Sequence, residues 1–262
     1  MTGRTGRRHR PRRAVAVSPH LDDAVFSVGG TLAALVAAGW FVEVLTCFTA
    51  SVPDPAPFAL STQLDKGLPA HVDYLALRRA EDAAACRRLG VRPVHLPLPE
   101  APHRGYDSAP ELFAGVRPDD PVGEALVVAL RPRLLAADLV LAPQALGGHV
   151  DHRVVAEAVV ACVPDALWWR DVPYVSRAPD ERPWRAVPPG VEQAVDIRPY
   201  LDVKVDAAGR YRTQLDFQFG GPTRVGPALH ALAAAEAGRL AGRGAVEVLW
   251  GPAGRLASTG VV

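Results

Sequence analysis

The chain has 262 residues, of which 49% are hydrophobic and 22% charged, and its formal net charge is +1. This length predicts one large domain, or two small domains that share a core. The composition excludes a disordered chain, a collagen and a bare coiled coil, and the near-zero charge gives no overall electrostatic case for a nucleic-acid partner.

The first thirteen residues are basic, and we predict that residues 1–13 form a disordered, solvated tail. A signal peptide would continue with about 7–15 apolar residues, and a membrane span would need about 20; the sequence offers neither. Three cysteines, odd in number and far apart, do not form a disulfide framework. We therefore expect a cytoplasmic protein without a membrane partner, in which residues 14–262 form a single domain.

Strands and helices alternate along the chain. In order, the pattern predicts a strand at 14–17, a helix at 22–38, a strand at 41–47, a loop at 51–70, a helix at 74–89, a strand at 94–96, a loop at 97–120, a helix at 122–135, a strand at 138–142, a helix at 151–162, a strand at 166–169, helices at about 198–214 and 226–239, and a strand at 246–250. This alternation predicts an α/β fold, a Rossmann-like three-layer sandwich with a mostly parallel sheet and helices on both faces.

Two polar clusters follow strands of the predicted sheet. The segment SPHLDD (18–23) comes directly after the strand at 14–17, and GGHVDH (147–152) comes a few residues after the strand at 138–142. Ligands of such sheets bind beyond the C-terminal ends of the strands. Although the two strands are far apart in sequence, they can be neighbours in a doubly wound sheet, so both clusters are expected on the ligand side.

The residue types in these clusters suit a metal. Histidine and aspartate make open zinc sites, in which three protein ligands leave room for water. His20 and Asp23 have the spacing that places two side chains on one face of a turn, and His149 and His152 repeat it. A metal needs one further side chain beyond His20 and Asp23. Asp22 is placed to take a proton from a metal-bound water, although a helix N-cap is the alternative for it.

The same pattern characterises a known family. Members of the PIG-L / LmbE-like superfamily of zinc-dependent N-deacetylases carry a small residue followed by His-Pro-Asp-Asp-Glu and, downstream, His-x-Asp-His. This chain resembles them in SPHLDDA (18–24), GGT (29–31) and GHVDH (148–152). Weaker likeness in LRRAEDAAACRRLGV (77–91), WWRDVPY (168–174) and the segment from Tyr200 to Gln214 extends the resemblance over about residues 13–220.

The resemblance implies a function and a set of roles. It implies one zinc ion per chain, bound by His20, Asp23 and His152, with Asp22 as the general base on the zinc-bound water. His149 would stabilise the oxyanion or protonate the leaving amine. The reaction implied is hydrolytic removal of an N-acetyl (acyl) group from an amino-sugar-containing small molecule, catalysed by one PIG-L/LmbE-like domain at 14–262.

Substrate contacts are expected in two places. Arg78 matches the Arg-x-x-Glu helix of the family and is a candidate substrate contact. Glu100, His103 and Arg104, in the loop at 97–120, are polar groups suited to sugar hydroxyls. An ordinary solvated loop is the alternative interpretation of these three residues.

The chain departs from the family pattern at four positions. Leu21 and Val150 replace prolines, Ala24 replaces a glutamate, and Gly147 stands where mycothiol-pathway members have a tyrosine. The last difference disfavours a mycothiol substrate, but an amidase of a thiol (mycothiol-type) conjugate stays open as an alternative.

Other classes also stay open. A metal-dependent phosphoesterase would hold two metals about 3.5–4 Å apart. A metal-free nucleotide-binding module is disfavoured because no G-x-G-x-x-G follows the first strand, and a non-catalytic family member is disfavoured by the intact clusters. The acyl acceptor and the oligomeric state are not determined by the sequence.

Overall fold

The computed structural model describes residues 10–242 and 244–261. Within them the chain forms a seven-stranded sheet with the order β3-β2-β1-β4-β5-β7-β6. Neighbouring strands from β3 to β5 are parallel, whereas β7 is antiparallel to both β5 and β6. The strands are β1 (Arg13–Ser18), β2 (Phe41–Thr46), β3 (Arg92–His95), β4 (Leu139–Pro143), β5 (Leu167–Trp169), β6 (Val191–Asp196) and β7 (Val246–Gly251). The mostly parallel sheet predicted from the sequence is confirmed.

Helices cover both faces of this sheet. They are α1 (Asp23–Ala37), α2 (Pro57–Asp65), α3 (Tyr74–Leu89), α4 (Glu111–Ala114), α5 (Val122–Leu135), α6 (Val150–Cys162), α7 (Tyr174–Arg177), α8 (Leu201–Ala208), α9 (Arg212–Phe219) and α10 (Val225–Arg239). Ala14 and Ala16 of β1 belong to a core with α1, α3, α8 and α10, whereas Val15 and Val17 belong to a core with α5 and α6. Because side chains alternate along a strand, β1 is buried on both sides, and the three-layer prediction is confirmed.

The site lies where the order of the strands reverses. β1 pairs with β2 on one side and with β4 on the other, in the register Ala14 to Leu139. A crevice forms beyond the C-terminal ends of the strands at such a switch point. The two polar clusters follow β1 and β4, so they enter the same crevice.

The helix that carries Asp23 is held from behind by a buried carboxylate. Glu247 accepts hydrogen bonds from the backbone N–H groups of Gly30 and Thr31 (2.9 and 2.6 Å) and from Nζ of Lys204 (2.6 Å). A Cβ at Gly30 would lie 2.7 Å from Ile197, so only glycine allows this approach. The Gly-Gly-Thr motif thus fixes α1 against the sheet.

Several predicted elements differ in the structure. The segment 51–70, predicted as a loop, contains α2, and the loop at 97–120 contains α4. The predicted helix at 198–214 is two helices, α8 and α9, because the backbone turns so that Tyr211 is buried and donates a hydrogen bond to Asp82 (2.7 Å). β6 and α7 were not predicted.

The N-terminal segment is partly described. Of the predicted disordered tail, residues 1–9 lie outside the described residues, whereas Arg10 forms an ion pair with Asp138 and Arg13 begins β1. Among the described residues, no helix combines the length and the apolar character needed to span a bilayer.

Candidate active site

Three of the predicted residues form a compact cluster. His20 follows β1, Asp23 begins α1, and His152 lies in the first turn of α6. Oδ2 of Asp23 lies 3.3 Å from Nδ1 of His20 and 3.4 Å from Nε2 of His152. Ligands bound about 2.0–2.1 Å from a tetrahedral zinc ion lie about 3.4 Å apart. The spacing and the donor types therefore fit a metal ion of this kind.

Two carboxylates orient the histidines of this cluster. Nε2 of His20 lies 2.9 Å from Oδ2 of Asp151, and Nδ1 of His152 lies 2.7 Å from Oδ1 of Asp171. A metal-bound histidine almost always donates its other ring N–H to such a partner, which sets its tautomer. The sequence interpretation did not identify Asp151 or Asp171 as site residues. The signals were Asp151 inside the His-x-Asp-His motif and Asp171 inside the segment WWRDVPY.

A second group of potential ligands overlaps the first. His20, His149 and Asp151 also bring ligand atoms within 4.8 Å of one another. However, Asp151 already accepts hydrogen bonds from Arg104 (2.7 Å) and from the backbone N–H of Ala101 (3.1 Å). Because the two groups share His20, and Asp151 is engaged elsewhere, the cluster of His20, Asp23 and His152 is the better metal site.

Asp22 is a buried carboxylate without a strong partner. Its side chain forms no capping hydrogen bond to α1, and its Oδ2 has no hydrogen-bond partner within the described residues. The closest cation is Arg78, 3.6 Å away. Burial raises the pKa of Asp22 to about 8, opposed by Arg78 and increased further by Asp23. Its φ of 148° is rare for a residue other than glycine and costs about 1–3 kcal/mol. The fold therefore maintains an unfavourable backbone conformation beside the candidate metal ligands.

One ring nitrogen of His149 is engaged by the backbone. This residue is the N-cap of α6, and its Nδ1 accepts the backbone N–H of Asp151 at 3.1 Å. Since Nδ1 is an acceptor, the hydrogen of the neutral ring is on Nε2. Burial, together with His20 and His152 but against Asp151, lowers the pKa of His149 to about 3. His149 is therefore a neutral hydrogen-bond donor.

The four predicted substrate contacts have different surroundings. Arg78 donates to Oε1 of Glu100 (2.7 Å) and to the carbonyl of Leu21 (3.1 Å). Glu100 and His103 line a cavity of about 340 Å³ between α2 and the loop after β3. The side chain of Arg104 is 7% exposed. Its guanidinium bonds to Asp151 and to other protein groups, so in this structure it contacts the orienting carboxylate rather than the open loop surface.

The fold and the cluster define an α/β protein with a candidate metal site at the switch point of a mostly parallel sheet. The chain belongs to the PIG-L family, GlcNAc-PI de-N-acetylase, which it matches over residues 15–163. The family resemblance inferred from the sequence is thereby confirmed.

Individual relatives agree with this assignment. The chain is 37% identical over 226 residues to 2'-N-acetylparomamine deacetylase of Streptomyces fradiae, covering 82% of this chain and 75% of that protein. Its structure is similar to the zinc-inhibited form of a teicoplanin deacetylase, with a TM-score of 0.77, 27% identity, and coverage of 91% of this chain and 97% of the other. It is also similar to the deacetylase of the antimicrobial reagent A40926 pseudoaglycone, with a TM-score of 0.76, 27% identity, and coverage of 92% and 97%.

Replacing Asp171 with Asn is expected to weaken metal binding about 10- to 100-fold, because loss of such an orienting carboxylate typically has this effect. The measurement is competition for zinc against a chelator of known affinity. The matched control is Asp165→Asn, at an aspartate whose side chain is 57% exposed. An Asp171→Asn protein that competes as well as the wild type would contradict the assignment.

Replacing Gly147 with Ala tests why this position lacks a side chain. Gly147 has a φ of +74°, and an added Cβ would lie 2.1 Å from Cδ1 of Tyr174. The clash and the left-handed backbone together should destabilise the protein by about 2–4 kcal/mol, visible as a lower Tm. Gly123→Ala is the control, because a Cβ added there would meet nothing within 4 Å beyond its chain neighbours and the backbone of its own helix. Equal Tm values for the two variants would refute the prediction.

Proposed function

We propose that this protein is a zinc-dependent N-deacetylase of an amino-sugar-containing small molecule. The observation that carries the proposal is the cluster of His20, Asp23 and His152 beside Asp22, whose Oδ2 has no hydrogen-bond partner within the described residues. The name 2'-N-acetylparomamine deacetylase describes an N-acetylated amino sugar as the substrate of a relative, which supports the substrate class.

One zinc ion per chain would be bound by Nδ1 of His20, Oδ2 of Asp23 and Nε2 of His152. When bound, zinc supplies a Lewis acid and lowers the pKa of a water ligand. Imidazole nitrogens and a carboxylate oxygen are ordinary zinc ligands, and a related deacetylase has a zinc-inhibited form. The ligand types support zinc as the metal to be tested first, and the inhibited form is evidence that zinc acts on the relative.

Asp22 and His149 would carry the proton transfer and the charge stabilisation. Oδ2 of Asp22 accepts a proton from the attacking water and returns it to the nitrogen of the leaving amine. The C–N bond then breaks to give an amine and a carboxylic acid, which loses its remaining proton to solvent or to the amine. Nε2–H of His149 donates a hydrogen bond to the amide oxygen as negative charge develops there. Because His149 is neutral, stabilising the oxyanion suits it better than protonating the amine.

Arg78 would position Asp22 as well as meet the substrate. Its guanidinium is anchored by Glu100 and by the carbonyl of Leu21, and it lies 3.6 Å from Oδ2 of Asp22. Glu100 and His103 would contact the sugar where it extends into the 340 Å³ cavity. Arg104 would act only by holding Asp151 behind His20.

The deciding experiment is acetate release from a panel of N-acetyl amino sugars that includes 2'-N-acetylparomamine. Zinc-loaded protein should release acetate, and a chelator should abolish the release until zinc is restored. If the zinc-loaded protein releases no acetate from any amide in the panel, the proposal is wrong.

The same panel separates the alternatives. A thiol conjugate bearing an amide and a simple phosphate ester are included as competing substrates. Preferential cleavage of either one would replace the amino-sugar proposal by that alternative. The chain's three cysteines, all buried free thiols, support the cytoplasmic location that we propose for the enzyme.

A further inference from the structure

Four aromatic rings, one of them that of the proposed ligand His152, lie in a closed circuit at the candidate metal site. Phe113 lies 5.4 Å from His149, His149 lies 5.6 Å from His152, His152 lies 5.6 Å from Tyr174, and Tyr174 lies 6.4 Å from Phe113, measured between ring centroids. Each pair is T-shaped. The two histidines thus form the floor of this side of the crevice, and the two carbocyclic rings form its outer edge.

Phe113 is held in place although it is exposed. It lies in α4, where the preceding residue, Leu112, packs against the buried cluster that contains Tyr106 and Val150. Glu111 accepts hydrogen bonds from the loop before the helix, at Asp107 N–H and Ser108 Oγ, both 3.1 Å. The Phe113 ring is nevertheless 43% exposed.

Tyr174 is fixed from the other side. Its ring packs against the backbone of Gly147, so closely that a Cβ there would overlap it. The burial pattern places it between core and solvent. Phe113 and Tyr174 are therefore two anchored rings at the mouth of the site, and only Phe113 presents a large free surface.

From this arrangement we infer that Phe113 is a substrate-binding residue, on which the apolar C–H face of the sugar ring that carries the N-acetyl group stacks. The inference rests on the proposed function and adds a specificity-determining contact to it. Aromatic side chains supply much of the contact area in small-molecule sites, and a few polar groups set the orientation of the ligand. Here His149 is one such polar group, directly beside Phe113.

The exposure of Phe113 indicates the sugar rather than the acyl group as its partner. An acetyl group is small and reacts at the floor of the crevice, between the metal ligands and His149. The sugar is the part of the substrate that extends from the floor towards solvent. A ring that is buried on the His149 side and free on the other meets that outer part.

The test compares Phe113→Ala with Phe113→Tyr, using 2'-N-acetylparomamine as the substrate. Loss of the ring should raise KM about tenfold and leave kcat within about twofold, whereas Phe113→Tyr should restore KM. The control is Phe41→Ala: Phe41 is similarly exposed, at 38%, but it begins β2 at the N-terminal ends of the parallel strands, the end of the sheet away from the crevice. It should leave both constants unchanged.

Three results would overturn the inference. One is an unchanged KM in Phe113→Ala, and another is a KM that Phe113→Tyr does not restore. The third is a change in acyl specificity: in Phe113→Ala, the ratio of kcat/KM for an N-butyryl substrate to kcat/KM for the N-acetyl substrate rises tenfold or more over the wild type. That result would make Phe113 a wall of the acyl pocket.

A binding measurement separates this inference from the proposed function. Calorimetric titration with paromamine needs no turnover, and Phe113→Ala should bind it about tenfold more weakly than the wild type. If the wild type releases no acetate, the proposed function fails, and the calorimetric comparison still decides the role of Phe113. Equal affinities, or no binding to the wild type, would exclude the stacking contact.

Discussion

Replacing Asp22 with Asn should lower kcat for amide hydrolysis by about 10²- to 10⁴-fold, the range that a positioned general base contributes. Asn has nearly the same shape and tolerates positive φ as aspartate does, so the turn between β1 and α1 should persist. Zinc should still bind, because Asp22 is not among the three ligands proposed. The measurements are kcat from acetate release and zinc content per chain.

The same variant should fold at least as stably as the wild type. Asp22 is a buried carboxyl group with an oxygen that lacks a hydrogen bond within the described residues, and burial raises its pKa to about 8 because it disfavours the charged form. Asn has nearly the shape of the neutral form, so the replacement should not lower the Tm of the metal-free protein. Asp202→Asn, at an exposed position in α8, is the matched control and should keep normal kcat. Near-normal turnover of Asp22→Asn would rule out Asp22 as the base.

His152→Ala and Asp23→Asn should both lose zinc and, with it, all measurable turnover. Each change leaves two of the three proposed ligands. Because loss of an orienting partner already weakens metal binding about 10- to 100-fold, loss of a ligand should weaken it by at least about 10³-fold. Zinc content after dialysis is the measurement, and the exposed His230, changed to Ala, is the control.

These variants also discriminate between the two overlapping groups of ligands. Asp23→Asn keeps the size of the side chain. It therefore still tests the ligand set if the buried His152→Ala variant does not fold. If both variants fold and retain zinc while Asp151→Asn loses it, the metal is bound by His20, His149 and Asp151 instead. That result would refute the proposed ligand set.

Local signals made some elements predictable to the residue. The bounds of α3 agree with the helix predicted at 74–89. In the structure Asp73 accepts a hydrogen bond from the N–H of Ala76, and Gly90 ends the helix in the left-handed region, so local signals set both ends. α5 likewise matches its prediction at 122–135. In contrast, α2 was missed, because its Pro57 lies among other prolines that are typical of a loop. β6 was missed because it pairs with residues of β7 that lie 50 to 60 positions later, and because it is half exposed.

The residues of the candidate site also fall into two groups, those that the sequence could predict and those that it could not. His20, Asp22, Asp23, His149 and His152 could be selected from the sequence, because chemically suited residues follow predicted strands in two recognisable motifs. Asp171 and Tyr174 could not be assigned roles, since neither lies in those motifs and each acts through a contact with a residue 19 or more positions away. Arg104 was predicted to face a sugar, but its contact with Asp151 depends on how the loop folds back on α6.

The sequence by itself determined which side chains carry the chemistry and that they follow β1 and β4, because apolar periodicity and motif spacing are local properties of the chain. Only the tertiary structure decided that β4 lies beside β1, that Asp151 and Asp171 orient His20 and His152, and that Phe113 closes the aromatic circuit. The reason is physical. Each of these contacts joins distant segments, and its formation depends on the packing of the whole sheet and its helices rather than on the conformational preferences of neighbouring residues.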